Sequence, residues 1–310
     1  MILVTGPTGT IGAELLRHLT QNHIPARALT RHPPQAHDPD AIPPGAPGAS
    51  PNPPNASGAA PRTRAIPPGV EIAYGDLDRP ETLAAPLTGV SALFLLTAPG
   101  PAAPARDLAM LAAARAAGVP RIVKISAIGT AESDGAKVRA WHAPGEDALR
   151  SGTAAWTVLR PSDLAANALS WANLIRSGRP VPNATGTGAR GVIDPRDVAE
   201  AAAVALTAPG HASRVYTLTG PALLSVPAQA EILGEVLART VATEDVPPET
   251  QRARLLAAGR DPAFAEVAVD GAAFVRRGGA AVLTRHVQTL TGHPARTFAS
   301  WAEAHREAFA

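Results

Sequence analysis

The chain has no cysteine among its 310 residues. Disulfides, thiolate catalysis and cysteine-ligated metal centres are therefore excluded, and no resident metal is expected. Lysine is almost absent as well, with Lys124 and Lys137 the two examples. Arginine carries the positive charge, giving a formal net charge of +2 and a pI near 9.5. No basic run forms, which argues against a nucleic-acid partner. No apolar run approaches membrane-spanning length, so no membrane partner is expected. Met1 leads straight into a short apolar run, without a secretory leader, and the expected location is the cytoplasm. What remains, 45% hydrophobic and 17% charged residues, is the composition of a soluble globular protein, long enough for one large or two modest domains.

The first sixteen residues organise the rest. Ile2, Leu3 and Val4 are β-forming, glycines follow at Gly6, Gly9 and Gly12, and Ile11, Leu15, Leu16 and Leu19 begin an amphipathic helical pattern. This reads as strand, tight turn and helix N-terminus. Gly6 lets the chain turn off the strand. Gly9 lets a pyrophosphate approach the backbone, and Gly12 lets the helix pack closely on the strand. The free N–H groups and positive dipole end of that helix would face the phosphates, with Thr8, Thr10 and Ile11 in the same turn. The spacing is Gly-x-x-Gly-x-x-Gly rather than Gly-x-Gly-x-x-Gly, and a dinucleotide site is the working reading.

Residues 24–31 read as a second strand with Arg31 at its carboxyl end. An acid there would bind the 2′-hydroxyl of NAD, whereas arginine suits a 2′-phosphate, so NADP is expected over NAD. Residues 33–68 hold twelve of the 32 prolines and no periodicity, and read as a flexible surface insertion. Order resumes in a strand over 70–77, where Asp76 either hydrogen-bonds the adenine or caps the next helix. Strands follow over 90–97, ending at Thr97, then 121–126, ending at Ser126, and 155–161, ending at Pro161. The alternation with helices predicts a right-handed parallel α/β sheet. Residues 181–191 read as a glycine-containing loop or hairpin, and a helix over 197–207 takes Asp194 or Asp197 as cap. Another strand is expected over 215–219. The pattern is helical from 225 onward, except for a candidate extended stretch over 264–269.

These pieces together resemble the atypical short-chain dehydrogenase/reductase superfamily, in its NmrA-like branch, which also holds NAD(P)H:quinone reductases. The resemblance rests on Val4-Thr-Gly-Pro-Thr-Gly-Thr-Ile-Gly12, Arg31, Gly75-Asp76-Leu77, Ser126-Ala-Ile-Gly129, His142-x-x-x-Glu146, Leu159-Arg-Pro161 with Asn167, and Asp194-x-x-Asp197-Val-Ala199. The insertion at 33–68 departs from the family, which has a short loop there. The resemblance implies a Rossmann-type doubly wound parallel sheet binding NADP(H) over residues 1–160. A smaller, mostly helical substrate-binding part over 161–310, interleaved with the sheet, would cover a small-molecule substrate. Leu77 would join Asp76 at the cofactor. A monomer or a homodimer is expected.

The tyrosine-dependent branch of this superfamily uses Tyr-x-x-x-Lys on the helix after the fifth strand. Here Tyr74 and Tyr216 are the two tyrosines, and neither starts that motif. His142-x-x-x-Glu146 stands in its place. His142 is the candidate general acid near neutral pH, oriented or charged by Glu146. Lys124 alternates onto the same strand face as Ser126. If it faces the cleft it could bind the ribose or polarise a substrate oxygen; otherwise it is a snorkelling strand residue. Ser126 is the third catalytic candidate, expected to border the nicotinamide pocket rather than to donate protons. Phe264, Phe274, Phe298, Trp301 and Trp171 either line an apolar pocket or fill the core. The expected activity is NADPH-dependent reduction of a quinone, enone or related carbonyl. The alternatives are an NADP-binding redox sensor without turnover, and a non-redox isomerase on the same fold.

Overall fold

The computed structural model describes residues 1–31, 64–130 and 137–310. Most of the proline-rich insertion, 33–63, lies outside the described residues. The first half alternates strand and helix: β1 (Ile2–Val4), α1 (Thr10–Gln21), β2 (Ala26–Thr30), β3 (Glu71–Tyr74), β4 (Ala92–Leu95), α2 (Ala103–Ala116), β5 (Arg121–Ile125), α3 (Arg139–Arg150) and β6 (Ala155–Pro161). Between β3 and β4 the expected helix is reduced to two 3-10 turns, Pro80–Thr82 and Ala85–Leu87.

The second half contributes α4 (Ala172–Arg176), β7 (Val181–Asn183), β8 (Arg190–Gly191), α5 (Pro195–Thr207), β9 (Arg214–Leu218), β10 (Leu223–Leu224), α6 (Val226–Leu237), β11 (Thr243–Asp245), α7 (Pro248–Ala257), α8 (Pro262–Arg276), α9 (His286–Thr291), α10 (Phe298–Ala304) and α11 (Arg306–Phe309). No helix among the described residues is long and apolar enough to cross a membrane.

Seven strands form one sheet in the order β3-β2-β1-β4-β5-β6-β9, all parallel. A sheet buried on both faces needs apolar side chains on both, and β1 and β4 are buried at every position. One face packs on α1 and α5 through Val4, Leu15, Leu19, Val198 and Ala202. The other packs on α2 and α3 through Leu3, Leu93, Met110 and Leu149. Strand order reverses between β1 and β4, which opens a crevice at the carboxyl edge where a dinucleotide lies in such sheets.

Two expectations are corrected. Residues 264–269 are helical, inside α8, because Asp261 caps the backbone N–H groups of Ala263 and Phe264 and Pro262 starts the first turn. The segment 181–191 is not a hairpin: β7 pairs with β11 in parallel and β8 with β10 antiparallel. Of the two candidate caps for α5, Asp194 takes the role, accepting from the backbone N–H of Arg196 at 2.8 Å.

Candidate active site

The glycine turn sits on the crevice. Gly6 has φ +61°, and a Cβ on Gly12 would lie 2.1 Å from the Gly6 carbonyl oxygen. Only glycine permits both the turn and the close seat of α1. Gly9 is the N-cap of α1, no side chain caps that end, and no acid stands in its first turn. Its N–H groups are therefore available to an anion. The Thr5 hydroxyl fastens the turn to the next strand end, donating to the Leu96 carbonyl and accepting from the Leu96 N–H, both at 2.8 Å. Thr8 and Thr10 are half-buried and Ile11 is buried. The chain returning from the insertion also meets the turn, since the Arg64 N–H donates to the Thr8 carbonyl at 3.2 Å.

The strand ends expected to hold the adenosine are charged. Arg31 is exposed just past β2. The Asp76 carboxylate accepts from the Asp78 N–H at 3.0 Å, which closes the turn after β3. Asp78 is gripped by both arms of Arg106, at 2.7 and 2.6 Å. Arg106 first, and then the charge of Arg31, hold the Asp78 carboxyl below its ordinary range. Leu77 packs against the α2/α3 core.

Beneath α3 the polar candidates are bound into two clusters. Lys124 is 1% exposed and donates to Asp107 at 2.5 Å and to the Ile125 carbonyl at 3.2 Å. The other Asp107 oxygen accepts from the Thr97 hydroxyl at 2.6 Å. Asp107 thus joins the end of β4, the middle of β5 and α2. In the second cluster the Ser126 hydroxyl donates to Glu146 at 2.5 Å. Arg160 grips both Glu146 oxygens at 3.0 and 2.5 Å, and Arg150 adds a contact at 2.5 Å. Burial works against the charge on Glu146, but Arg160, Ser126 and Arg150 outweigh it and leave the carboxyl below the ordinary glutamate range.

His142 lies between the clusters, 8% exposed. Burial first, and the neighbouring Lys124 charge second, push its pKa down to about 4. The imidazole is neutral at neutral pH, so the expected imidazolium acid is absent. Glu146 bonds to Ser126 and the two arginines. Lys124 has its own carboxylate and does not take the snorkelling position of a surface lysine.

A family model described as NAD(P)H-binding matches residues 59–209. The chain is 35% identical over 311 residues to (4-alkanoyl-5-oxo-2,5-dihydrofuran-3-yl)methyl phosphate reductase of Streptomyces griseus subsp. griseus, an alignment covering 100% of this chain and 99% of that protein. The chain belongs to the NAD(P)H-binding reductase family. An NAD(P)H azoreductase of Xenophilus azovorans is 32% identical over 309 residues, again covering 100% of this chain and 99% of the relative. In structure, an NADPH-dependent quinone oxidoreductase of Escherichia coli, crystallised with NADPH, has a TM-score of 0.78 over 98% of this chain and 99% of that chain, at 22% identity. The protein is an NAD(P)H-dependent oxidoreductase.

Within this NAD(P)H-binding reductase, the C-terminal aromatics divide. Phe298 and Trp301 stack at 5.5 Å and belong to a buried cluster with Val181, Leu233 and Phe309, with Trp171 packed at its margin. They are core. Phe274 forms a small cluster with Val275 and Ala280. Phe264 stacks on Trp141 at 5.7 Å, which seats α8 beside α3. Asp197, Glu200 and His293 gather as metal ligands could, but Arg296 donates to both carboxylates and His293 bonds Glu200, so the group is an ion-pair cluster.

Asp107 is a site residue that the sequence pattern alone did not single out. Its signal was present: Asp107 shares a helix face with Ala103, Met110, Leu111 and Ala114. An acid at a core position of one element and one of two lysines at a core position of another call for pairing.

Proposed function

We propose that this reductase transfers hydride from NADPH to a small, electron-poor, conjugated acceptor such as a quinone, an enone or an azo compound. It does so in the cytoplasm, as a monomer or homodimer. The carrying observation is the state of positions 142 and 146, a buried neutral histidine and a glutamate held by Ser126 and two arginines. Neither offers an acidic proton at neutral pH. A conjugated acceptor needs none, because its reduced anion is delocalised and takes a proton from solvent. The named substrates of the Streptomyces and Xenophilus relatives, an alkanoyl-oxo-dihydrofuran and an azo compound, are conjugated in this sense.

When bound, NADPH supplies the hydride. The chain's residues position it: Gly6, Thr8, Gly9, Thr10, Ile11 and Gly12 at the pyrophosphate, Arg31 at the 2′-phosphate, and Asp76 and Leu77 at the adenine. Thr97, Ser126 and Pro161 border the nicotinamide. The chain beyond residue 160 covers the acceptor. Lys124 and His142 act through packing and field: burial, with the Lys124 charge adding to it, keeps His142 neutral, and Lys124 sets Thr97 through Asp107. Catalysis is then mainly the alignment of donor and acceptor.

NADPH consumption is to be followed against quinones, azo dyes, conjugated enones and saturated ketones. Turnover is expected with the conjugated classes and not with saturated ketones. Comparable reduction of a saturated ketone overturns the reading. Tight NADPH binding with no turnover on any acceptor favours the redox sensor. Arg31→Asp is expected to weaken NADPH binding by roughly tenfold or more while NADH binding changes little, as for loss of a charge-assisted contact; titration with both cofactors checks it.

A further inference from the structure

Ser162 follows β6 directly, and its backbone still belongs to the ladder. The Ser162 N–H donates to the Leu218 carbonyl at 2.9 Å, while on the other side the Ile128 N–H donates to the Pro161 carbonyl at 3.2 Å. Strand alternation places Ser162 on the same face as Val158 and Arg160. That face looks toward α3, because Arg160 reaches Glu146 there. Ser162 is thus one step beyond Arg160 and Ser126, at the carboxyl edge of the sheet. It is 7% exposed, and its hydroxyl has no hydrogen-bond partner among the described residues. Its neighbours are committed: Ser126 and Arg160 both bond Glu146.

A buried hydroxyl left unpaired is costly, and few persist in a folded protein without a reason. The carboxyl edge of a parallel sheet is where ligands bind, and a ligand group there is positioned to supply the missing partner. We propose that the Ser162 hydroxyl donates a hydrogen bond to a carbonyl oxygen at the hydride-transfer site, either the nicotinamide carboxamide or the acceptor's own carbonyl. Ser162 is then a binding residue for this reductase, beyond the strand-end positions already assigned. The inference rests on the nicotinamide lying at this edge, as proposed above.

The test is Ser162→Ala, with NADPH affinity by fluorescence titration, steady-state KM and kcat for an accepted quinone, and the melting temperature. The fold should be as stable as wild type or more so, since the orphan hydroxyl is gone. A three- to tenfold weaker NADPH affinity assigns the bond to the carboxamide. In that case the preference of the wild type for NADP over thio-NADP, whose carboxamide oxygen is replaced by sulfur, shrinks in the variant. A three- to tenfold higher quinone KM with unchanged NADPH affinity assigns it to the acceptor. NADPH affinity, KM and kcat all within twofold of wild type overturn the proposal. Should the alanine variant not fold, Ser162→Cys, a weak donor of similar size, carries the same readouts. A wild type that binds NADPH but reduces no acceptor defeats the proposed function; the carboxamide is then the one carbonyl left at the site, so a weaker NADPH affinity in the Ser162 variants supports this inference and an unchanged one overturns it.

Discussion

A histidine buried beside a lysine carries its proton only at a pH where most histidines are long since charged. With its pKa at about 4 against an ordinary 6.5, His142 is neutral in the fold and charged in the unfolded chain throughout the interval between. The unfolded state therefore binds more protons there. The stability contributed by His142 is full above pH 6.5 and is lost as pH falls toward 4, amounting to about 3 kcal/mol at pH 4. Urea titrations between pH 7 and 4 should show that decline, and His142→Gln should flatten it. The same variant should keep kcat within about threefold, and the wild-type rate should show no His142 titration between pH 6 and 8. A tenfold loss of kcat on substitution would instead make the imidazole a participant in the reaction.

Between elements, the close approach of α2 and α3 depends on one missing side chain. A Cβ on Gly145 would lie 2.5 Å from an Asp107 carboxylate oxygen and 2.8 Å from Lys124 Cε. Gly145→Ala should destabilise the fold by about 1–3 kcal/mol, the usual cost of overpacking, seen as a lower melting temperature. The pair beneath it makes a sharper case. Asp107→Ala strands a buried ammonium and should cost about 3–5 kcal/mol, whereas Asp107→Leu combined with Lys124→Met should recover most of that.

Elements of this kind were only partly legible in the sequence. The strands of the parallel sheet announced themselves because a strand buried on both faces is a continuous apolar run, as in Ala92–Leu95. The stretch 264–269 misled because Phe-Ala-Glu-Val-Ala-Val also fits an alternating pattern, and only the Asp261 cap settles it as helix. The pairings of β7 with β11 and β8 with β10 join residues far apart in the chain, which no local pattern encodes. At the site, the glycine turn was legible because backbone geometry restricts the residue type. Asp107 was legible only as an acid on an apolar helix face in want of a partner, and Ser162 was not legible at all, because its meaning comes from the strands beside it.

For the whole molecule, the C-terminal quarter is fastened to the sheet layer at α5. The Arg296 backbone N–H donates to Asp197 at 2.7 Å, its guanidinium bonds both Asp197 and Glu200, and His293 reaches Glu200 at 2.8 Å. Asp197 is fully buried, and burial raises its pKa against the pull of Arg296. Arg296→Ala should therefore cost about 3–5 kcal/mol, because it leaves a buried carboxylate poorly paired. Arg296→Lys should restore only part of that loss, since a point charge cannot serve both carboxylates as a fork does. Chemical denaturation of the three proteins checks both statements.

The lateness of β9 in the chain has a consequence for biosynthesis. The strand that covers β6, and the helix α5 that covers α1, are made only when synthesis reaches residues 195–218. Until then a nascent chain that already holds the whole glycine turn presents a bare strand edge and the uncovered apolar side chains of Leu15 and Leu19. Those are the features through which unfinished chains stick to one another. A fragment ending near residue 160 would keep that unfinished condition permanently. The half that carries the glycine turn is thus made first and completed only once residue 218 has been added.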